Sequence, residues 1–225
     1  LRLVLLATLA LVAGAARAAP AQEPPPRDIA DDRGFLIAKA TTLPRGSGYV
    51  TALMPGALGV AYGLSDRLTG QLGTVPWTLF NGLVLGFASL RYRLLRSSFA
   101  HISVGGFGIT GFDQHEYEAA GWPYVATTVG TARYSVSALV GVGSSTSIFE
   151  SDFDGQMLVQ FEGEARVDRT LKVIAETLYL GEGSETLGAV GVRFLGDRVA
   201  GDVGVGFVLS GGSGFFPWVA LAYSL

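Results

Sequence analysis

Two residues in the stretch FAHISVG, His101 and Ser103, are of the types that make a nucleophile and its base. A spacing of two puts both on one face of an extended chain. A serine hydroxyl becomes a nucleophile only with a base in hydrogen-bond reach and a third group orienting that base. The neighbouring segment brings Arg91 and Arg93 alongside, and no carboxylate or asparagine, so His101 is read as a polar lining residue and no catalytic residue is assigned. In DQHEYE, His115 lies among Asp113, Glu116 and Glu118. Metal ligands must converge, and one loop fixes no such geometry, so this is read as a solvated acidic loop and no metal site is assigned. GITGFD and GGSGFF are glycine turns outside the strand-to-helix context of a phosphate loop. With no cysteine in 225 residues there is no disulfide framework, thiol nucleophile or thiolate metal site. A formal charge of −3 with no basic cluster argues against a nucleic-acid partner, and nothing points to a cofactor.

The remaining charges are ordered by parity. In QMLVQFEGEARVD, residues 156–168, Met157, Val159, Phe161 and Val167 share one face, while Gln160, Glu162, Glu164 and Arg166 share the other. Strict alternation over such a run makes a strand with one apolar and one polar face. The next run repeats it, with Lys172 and Glu176 on the polar side, and so do the runs carrying Arg91 with Arg93 and Arg193 with Asp202. Arg67, Gln71 and His101 fall on the same side. The expected polar lining is therefore Arg91, Arg93, Glu162, Glu164, Arg166, Lys172, Glu176 and Arg193, read either as a salt-bridged filler or as a pore with the arginines facing the glutamates across a constriction. A three-residue turn at 168–170 would set Arg166 against Lys172 and Glu162 against Glu176. Like charges directly opposite are unfavourable, so a five-residue turn pairing Glu164 with Lys172 is expected.

The elements that position these residues are marked by their turns. LSDRLTG, VDRTLK and LGDRVAG place Asp-Arg pairs between alternating segments, and tight reversals fall near Asp66, Arg96, Arg133, Asp168 and Asp197, roughly 29 to 36 residues apart. Between them lie longer polar or glycine-rich connections near 74–82, 111–121, 144–155, 181–186 and 210–214. Alternating short and long connections make an up-and-down antiparallel sheet of about twelve strands, near 47–54, 57–63, 67–74, 86–95, 98–109, 122–132, 134–143, 155–167, 170–180, 187–195, 198–209 and 215–225. Tyr49, Tyr62, Trp77, Tyr92, Trp122, Tyr124, Tyr134, Tyr179, Trp218 and Tyr223 mostly fall near strand ends, where aromatic girdles belong. WTLFNGLVLGF, 77–87, fits a short helix, a membrane-dipping loop or a strand start, with Asn81-Gly82 favouring a turn.

In pattern, residues 47–225 resemble a bacterial outer-membrane β-barrel: an all-β, up-and-down antiparallel transmembrane barrel of even strand number. The ending VALAYSL, with Val219, Leu221, Tyr223 and Leu225 on one face, resembles the terminal signal read by the barrel-assembly machinery, with Leu in place of the commoner Phe. The resemblance implies an integral protein of a Gram-negative-type outer membrane, partnered by its lipid, monomeric, and serving as a passive small-solute pore or a structural barrel. An H-x-S pair also resembles those of outer-membrane phospholipase and lipid A deacylase, which leaves a lipid-modifying hydrolase using His101 and Ser103 as an alternative. A soluble exported β-sandwich or lipocalin-like binder is the other.

The N-terminal part fits export. Arg2 is followed by an apolar run over residues 3–16 and by the small-residue pattern ARA, so 1–18 are read as a secretory signal peptide cut after Ala18. Residues 19–34, with three consecutive prolines and scattered charge, are read as a solvated tether. The barrel domain is placed at 35–225, with 35–46 as an extra strand or a lead-in crossing the barrel mouth.

Overall fold

The computed structural model describes residues 27–35, 38–54, 56–112, 117–146, 157–181, 186–209 and 214–225. The strands are β1 (Gly48–Leu53), β2 (Ala57–Ser65), β3 (Leu68–Thr74), β4 (Val84–Arg96), β5 (Ala100–Phe112), β6 (Tyr117–Gly130), β7 (Tyr134–Val142), β8 (Ser144–Thr146), β9 (Met157–Arg166), β10 (Leu171–Leu180), β11 (Thr186–Leu195), β12 (Val199–Val208) and β13 (Gly214–Ser224). β7 and β8 both pair with β6 on either side of Gly143, so they form one stave and the barrel has twelve. Every pairing is antiparallel, and those of β1 with β13 and β5 with β6 close the ring. Closure removes the exposed edges that a sheet of this size would otherwise present to lipid.

Alternation fixes the two faces. Val50, Val60, Leu72, Leu90, Val125, Val140, Val203 and Leu221 point outward and are exposed, while Thr51, Ala61, Thr69, Arg91, Ala126, Glu162, Arg193, Asp202 and Ala222 are buried inside. An apolar exterior around a polar interior is the arrangement a membrane-spanning barrel requires. Residues 76–81 form a short 3-10 helix, not a strand start, and Gly82 ends it in the left-handed region at φ 76°, where its N–H reaches Leu79 O at 3.0 Å. β5 and β6 run further toward their connection than the sequence pattern suggests, through Phe112 and from Tyr117.

Four aromatics expected at the girdles face inward instead, one of them the partly buried Trp218 beside Phe35. Tyr49, Trp122 and Tyr124 are buried, whereas Tyr62, Trp77, Tyr92, Tyr134 and Tyr223 lie on the outside. Parity decides this, since Trp122 and Tyr124 share a face with Ala120, Ala126 and Thr128. Glycines make room for them: a Cβ on Gly105 would lie 2.6 Å from the Tyr124 ring, and one on Gly143 would run into the Trp122 indole.

Residues 27–34 are not a solvated tether. They enter the barrel at the end where the short turns lie, reverse through an antiparallel bridge between Arg33 and Ala38, and return to β1. Asp28, Ala30, Asp32, Arg33, Phe35, Lys39, Ala40 and Leu43 are all buried. The segment carries no period of two because it pairs with the wall through side chains, and its charges are matched there instead of by water. Residues 1–26, and with them the expected signal peptide and the proline run, lie outside the described residues.

Candidate functional site in the barrel lumen

The site is the lumen with this N-terminal hairpin inside it. Arg91 projects from β4 and donates from Nη1 to the backbone oxygens of Asp32 and Lys39, both at 2.7 Å, and from Nη2 to Asp32 Oδ2 at 2.8 Å. Tyr49 donates its hydroxyl to the other oxygen of Asp32 at 2.8 Å. On the far wall Arg193 of β11 grips Asp202 of β12 through Nε at 2.6 Å and Nη2 at 3.1 Å. Its remaining N–H groups reach Asp28 Oδ2 at 3.3 Å and the backbone oxygen of Ala30 at 2.8 Å. Arg33 adds a second cation to Asp202 at 3.0 Å.

Lys172 Nζ lies 2.9 Å from Asp28, 3.1 Å from Asp31 and 3.2 Å from Glu164. Lys39 Nζ lies 3.0 Å from Glu164 and 3.7 Å from Glu162. Glu176 accepts from Phe35 N–H at 2.7 Å and from Gln160 at 2.6 Å. Two wall hydroxyls complete the lacing, Thr128 accepting from Ala40 N–H at 3.1 Å and Thr69 from Leu43 N–H at 2.8 Å. Burial opposes charge on Asp28, but Arg193 and Lys172 together outweigh it and hold the carboxyl well below the usual carboxylate range. Burial opposes charge on Lys39 as well, and Asp31, Glu164 and Glu162 outweigh it, so its ammonium keeps its proton above the ordinary lysine range.

The ladder between β9 and β10 sets Arg166 opposite Lys172 and Glu162 opposite Glu176, the register that like-charge repulsion argued against. The hairpin is the reason. It carries Lys39 in beside the glutamates, gives Glu176 a backbone donor and gives Lys172 two aspartates, so the wall's like charges are separated by charges from elsewhere in the chain. Arg193 does not face the glutamates across a constriction. It sits on the strand next to β10, paired in register with Lys172, and is neutralised by Asp202 and the hairpin.

Arg91, Glu162, Glu164, Lys172, Glu176 and Arg193 meet the hairpin. Arg93 is buried nearer the short-turn end, where Nη2 donates to Asp66 O at 2.5 Å, and Arg166 is half-buried and donates to Arg169 O at 3.2 Å. A cavity of 330 Å³ lies below the hairpin, lined by Arg27, Asp31, Lys39, Arg93, Arg96, His101 and Glu164. A smaller one of 180 Å³ lies above it, against Phe35, Leu53, Gln71, Phe87, Phe107 and Tyr124. His101 pairs in register with Arg96 and Thr128, and the buried Ser103 with Arg93 and Ala126, so neither has a carboxylate as a ladder neighbour. Asp28, Asp31 and Glu164 converge as a metal trio would, but Lys172 already lies against all three. The acidic loop around His115 lies outside the described residues. Asp28, Asp32, Arg33 and Lys39 were not foreseen as site residues; their one signal is a balanced charge run ahead of a barrel with balanced lumen charge.

No family model matches the chain, and no curated protein matches it significantly. Among solved structures, the KdgM porin in complex with disordered oligogalacturonate superposes with a TM-score of 0.62 at 14% identity, over 80% of this chain and 99% of that one. The NanC porin gives 0.54 at 8% identity, over 80% and 99%. An outer-membrane channel from Pseudomonas putida F1 gives 0.54 at 16% identity, over 82% and 97%. At such identities the likeness is one of fold: the chain has the closed antiparallel barrel of bacterial outer-membrane porins, apolar toward lipid and polar within.

Proposed function

We propose that this protein is a passive small-solute channel of a Gram-negative-type outer membrane, closed in the state described by its own N-terminal hairpin, and without catalytic activity at His101 and Ser103. The observation that carries the reading is how the bore is filled. A barrel built only as a structural element fills its lumen with wall side chains. Here much of the inward wall is small, with Ala61, Thr69, Ser103, Ala126, Ser137, Ala189, Ala200, Ala220 and Ala222 all buried, and the space they leave is occupied by a separate length of chain. That length is tied to the wall by ion pairs and hydrogen bonds, with Ala30, Phe35, Ala40 and Leu43 packed against wall side chains. Withdrawal of the hairpin leaves a wide, charge-lined bore.

The chain's lack of cysteine allows a direct test. The pair Ala40→Cys and Thr128→Cys would join hairpin to wall where Ala40 N–H meets Thr128 Oγ1. In planar bilayers the oxidised double variant is expected to be silent, and reduction is expected to restore the single-channel openings of the parent protein. Silence of the parent, oxidised and reduced proteins alike would refute the channel and leave a structural barrel.

A further inference from the structure

We infer that the lumen wall carries a binding site for a small ω-amino carboxylate, which Lys39 occupies as a built-in ligand; this rests on the channel reading above. Arg91 on β4 and Glu164 on β9 stand four staves apart round the ring, and Lys39 bridges them. Its carbonyl oxygen accepts from Arg91 at 2.7 Å, and its Nζ lies 3.0 Å from Glu164. The wall therefore holds a guanidinium and a carboxylate separated by the distance between the carbonyl and the ammonium of one lysine residue. Asp32 adds a carboxylate at the same guanidinium, 2.8 Å away, so the hairpin presents Arg91 with the anion a free ligand would bring.

The acidic end is underfilled. Glu162 is 1% exposed, neither of its carboxylate oxygens accepts a hydrogen bond, and Lys39 Nζ stays 3.7 Å away. An ammonium has three N–H donors. Lys39, tethered by its backbone, directs its shorter contact to Glu164; a free ammonium can settle between the two glutamates. Once Asp32 and the residue-39 carbonyl leave Arg91, a free carboxylate can take both of its outer nitrogens, a stronger contact than a carbonyl offers. Lys39 and Glu164 both line the 330 Å³ cavity below the hairpin, so a solute filling that space meets this end of the site first.

The minimal probe is 6-aminohexanoate, which reproduces the atoms from the carbonyl carbon to Nζ of lysine. Tethered Lys39 competes at an effective concentration on the order of millimolar, so the parent protein binds the probe weakly. Lys39→Met removes the competing ammonium, leaving at Arg91 the residue-39 carbonyl and Asp32 for the probe's carboxylate to displace. By titration calorimetry of the full-length K39M barrel in detergent, 6-aminohexanoate is expected to bind saturably, about tenfold or more tighter than to the parent. Hexanoate and hexylamine, each carrying one end, are expected not to bind, and adding Glu164→Gln is expected to abolish binding. No saturable heat from K39M that migrates as a folded barrel, or equal heat from hexylamine, overturns the site. If K39M fails to fold, the parent decides: a saturable rise in open probability with 6-aminohexanoate and not with hexylamine supports the site, and its absence overturns it. A conducting channel that ignores the probe removes the site and keeps the channel, whereas a barrel silent in every state removes the channel itself.

Discussion

Asp28 shows what one buried carboxylate does in this lumen. It receives Arg193 and Lys172 at once, and removing one partner from a buried ion network leaves the others uncompensated, at a cost of roughly 3–5 kcal/mol. Asp28→Asn is therefore expected to lower the temperature at which the folded, unboiled band on a gel is lost. The pH dependence follows from the sign of its shift. In the unfolded chain Asp28 takes up its proton near 3.8, and in the folded barrel only at lower pH. Its contribution is complete above 3.8 and is lost as pH falls through the lower folded value. The gap between parent and D28N should hold constant from neutral pH to about 4 and narrow only below that, measured as melting of the folded band across a pH series. A gap that closed between pH 7 and 5 would mean that Asp28 is not held ionised by Arg193 and Lys172.

At the scale of elements, the hairpin is attached by charge and by buried apolar side chains, among them Leu43 and the larger Phe35. Phe35 is 2% exposed, packs with Ile174 and Ala189, and lies 6.4 Å from the Trp218 ring between centroids. Truncating a buried phenylalanine costs about 3–5 kcal/mol, and much of that falls here on docking of the hairpin, so Phe35→Ala should raise open probability by about two orders of magnitude in bilayers without removing the folded band. The strands were legible in the sequence because a wall with lipid on one side and a polar lumen on the other imposes a period of two on every stave. The turns were legible because Asp-Arg tips stay in water. The hairpin was not, since RDIADDRG has the composition of a solvated linker, and only its match to Arg91, Lys172 and Arg193 marks it as buried. The register of β9 and β10 was missed for the same reason: repulsion between Glu162 and Glu176 decides it only if nothing else enters the lumen, and Lys39 does. For Tyr49, Trp122, Tyr124 and Trp218, parity is a better guide than nearness to strand ends.

In the whole molecule the two ends of the barrel chain meet at one seam, and that seam adjoins the hairpin. β1 pairs with β13 over Tyr49–Leu53 against Ala220–Ser224, with one further backbone bond beyond each end, whereas β5 and β6 pair from Ala100 to Phe112. β1 also begins where the hairpin ends, and Tyr49 at its start is bonded to Asp32 within the hairpin. Regions with fewer hydrogen bonds open at lower free energy than the rest of a fold. Hydrogen exchange on the folded barrel should therefore show the amides of Val50, Thr51 and Ala52 exchanging well before those of Val104 to Ile109. Loosening the hairpin by Phe35→Ala should speed exchange at Val50, Thr51 and Ala52 more than at Val104 to Ile109, because Tyr49 beside the former is bonded to Asp32 of the segment that moves. Closing of the lumen and closing of the ring are then one linked equilibrium, set by a hydroxyl on β1 and a carboxylate in the hairpin. Equal exchange in β1 of both proteins would separate the two, leaving the hairpin free to move inside a ring that does not respond.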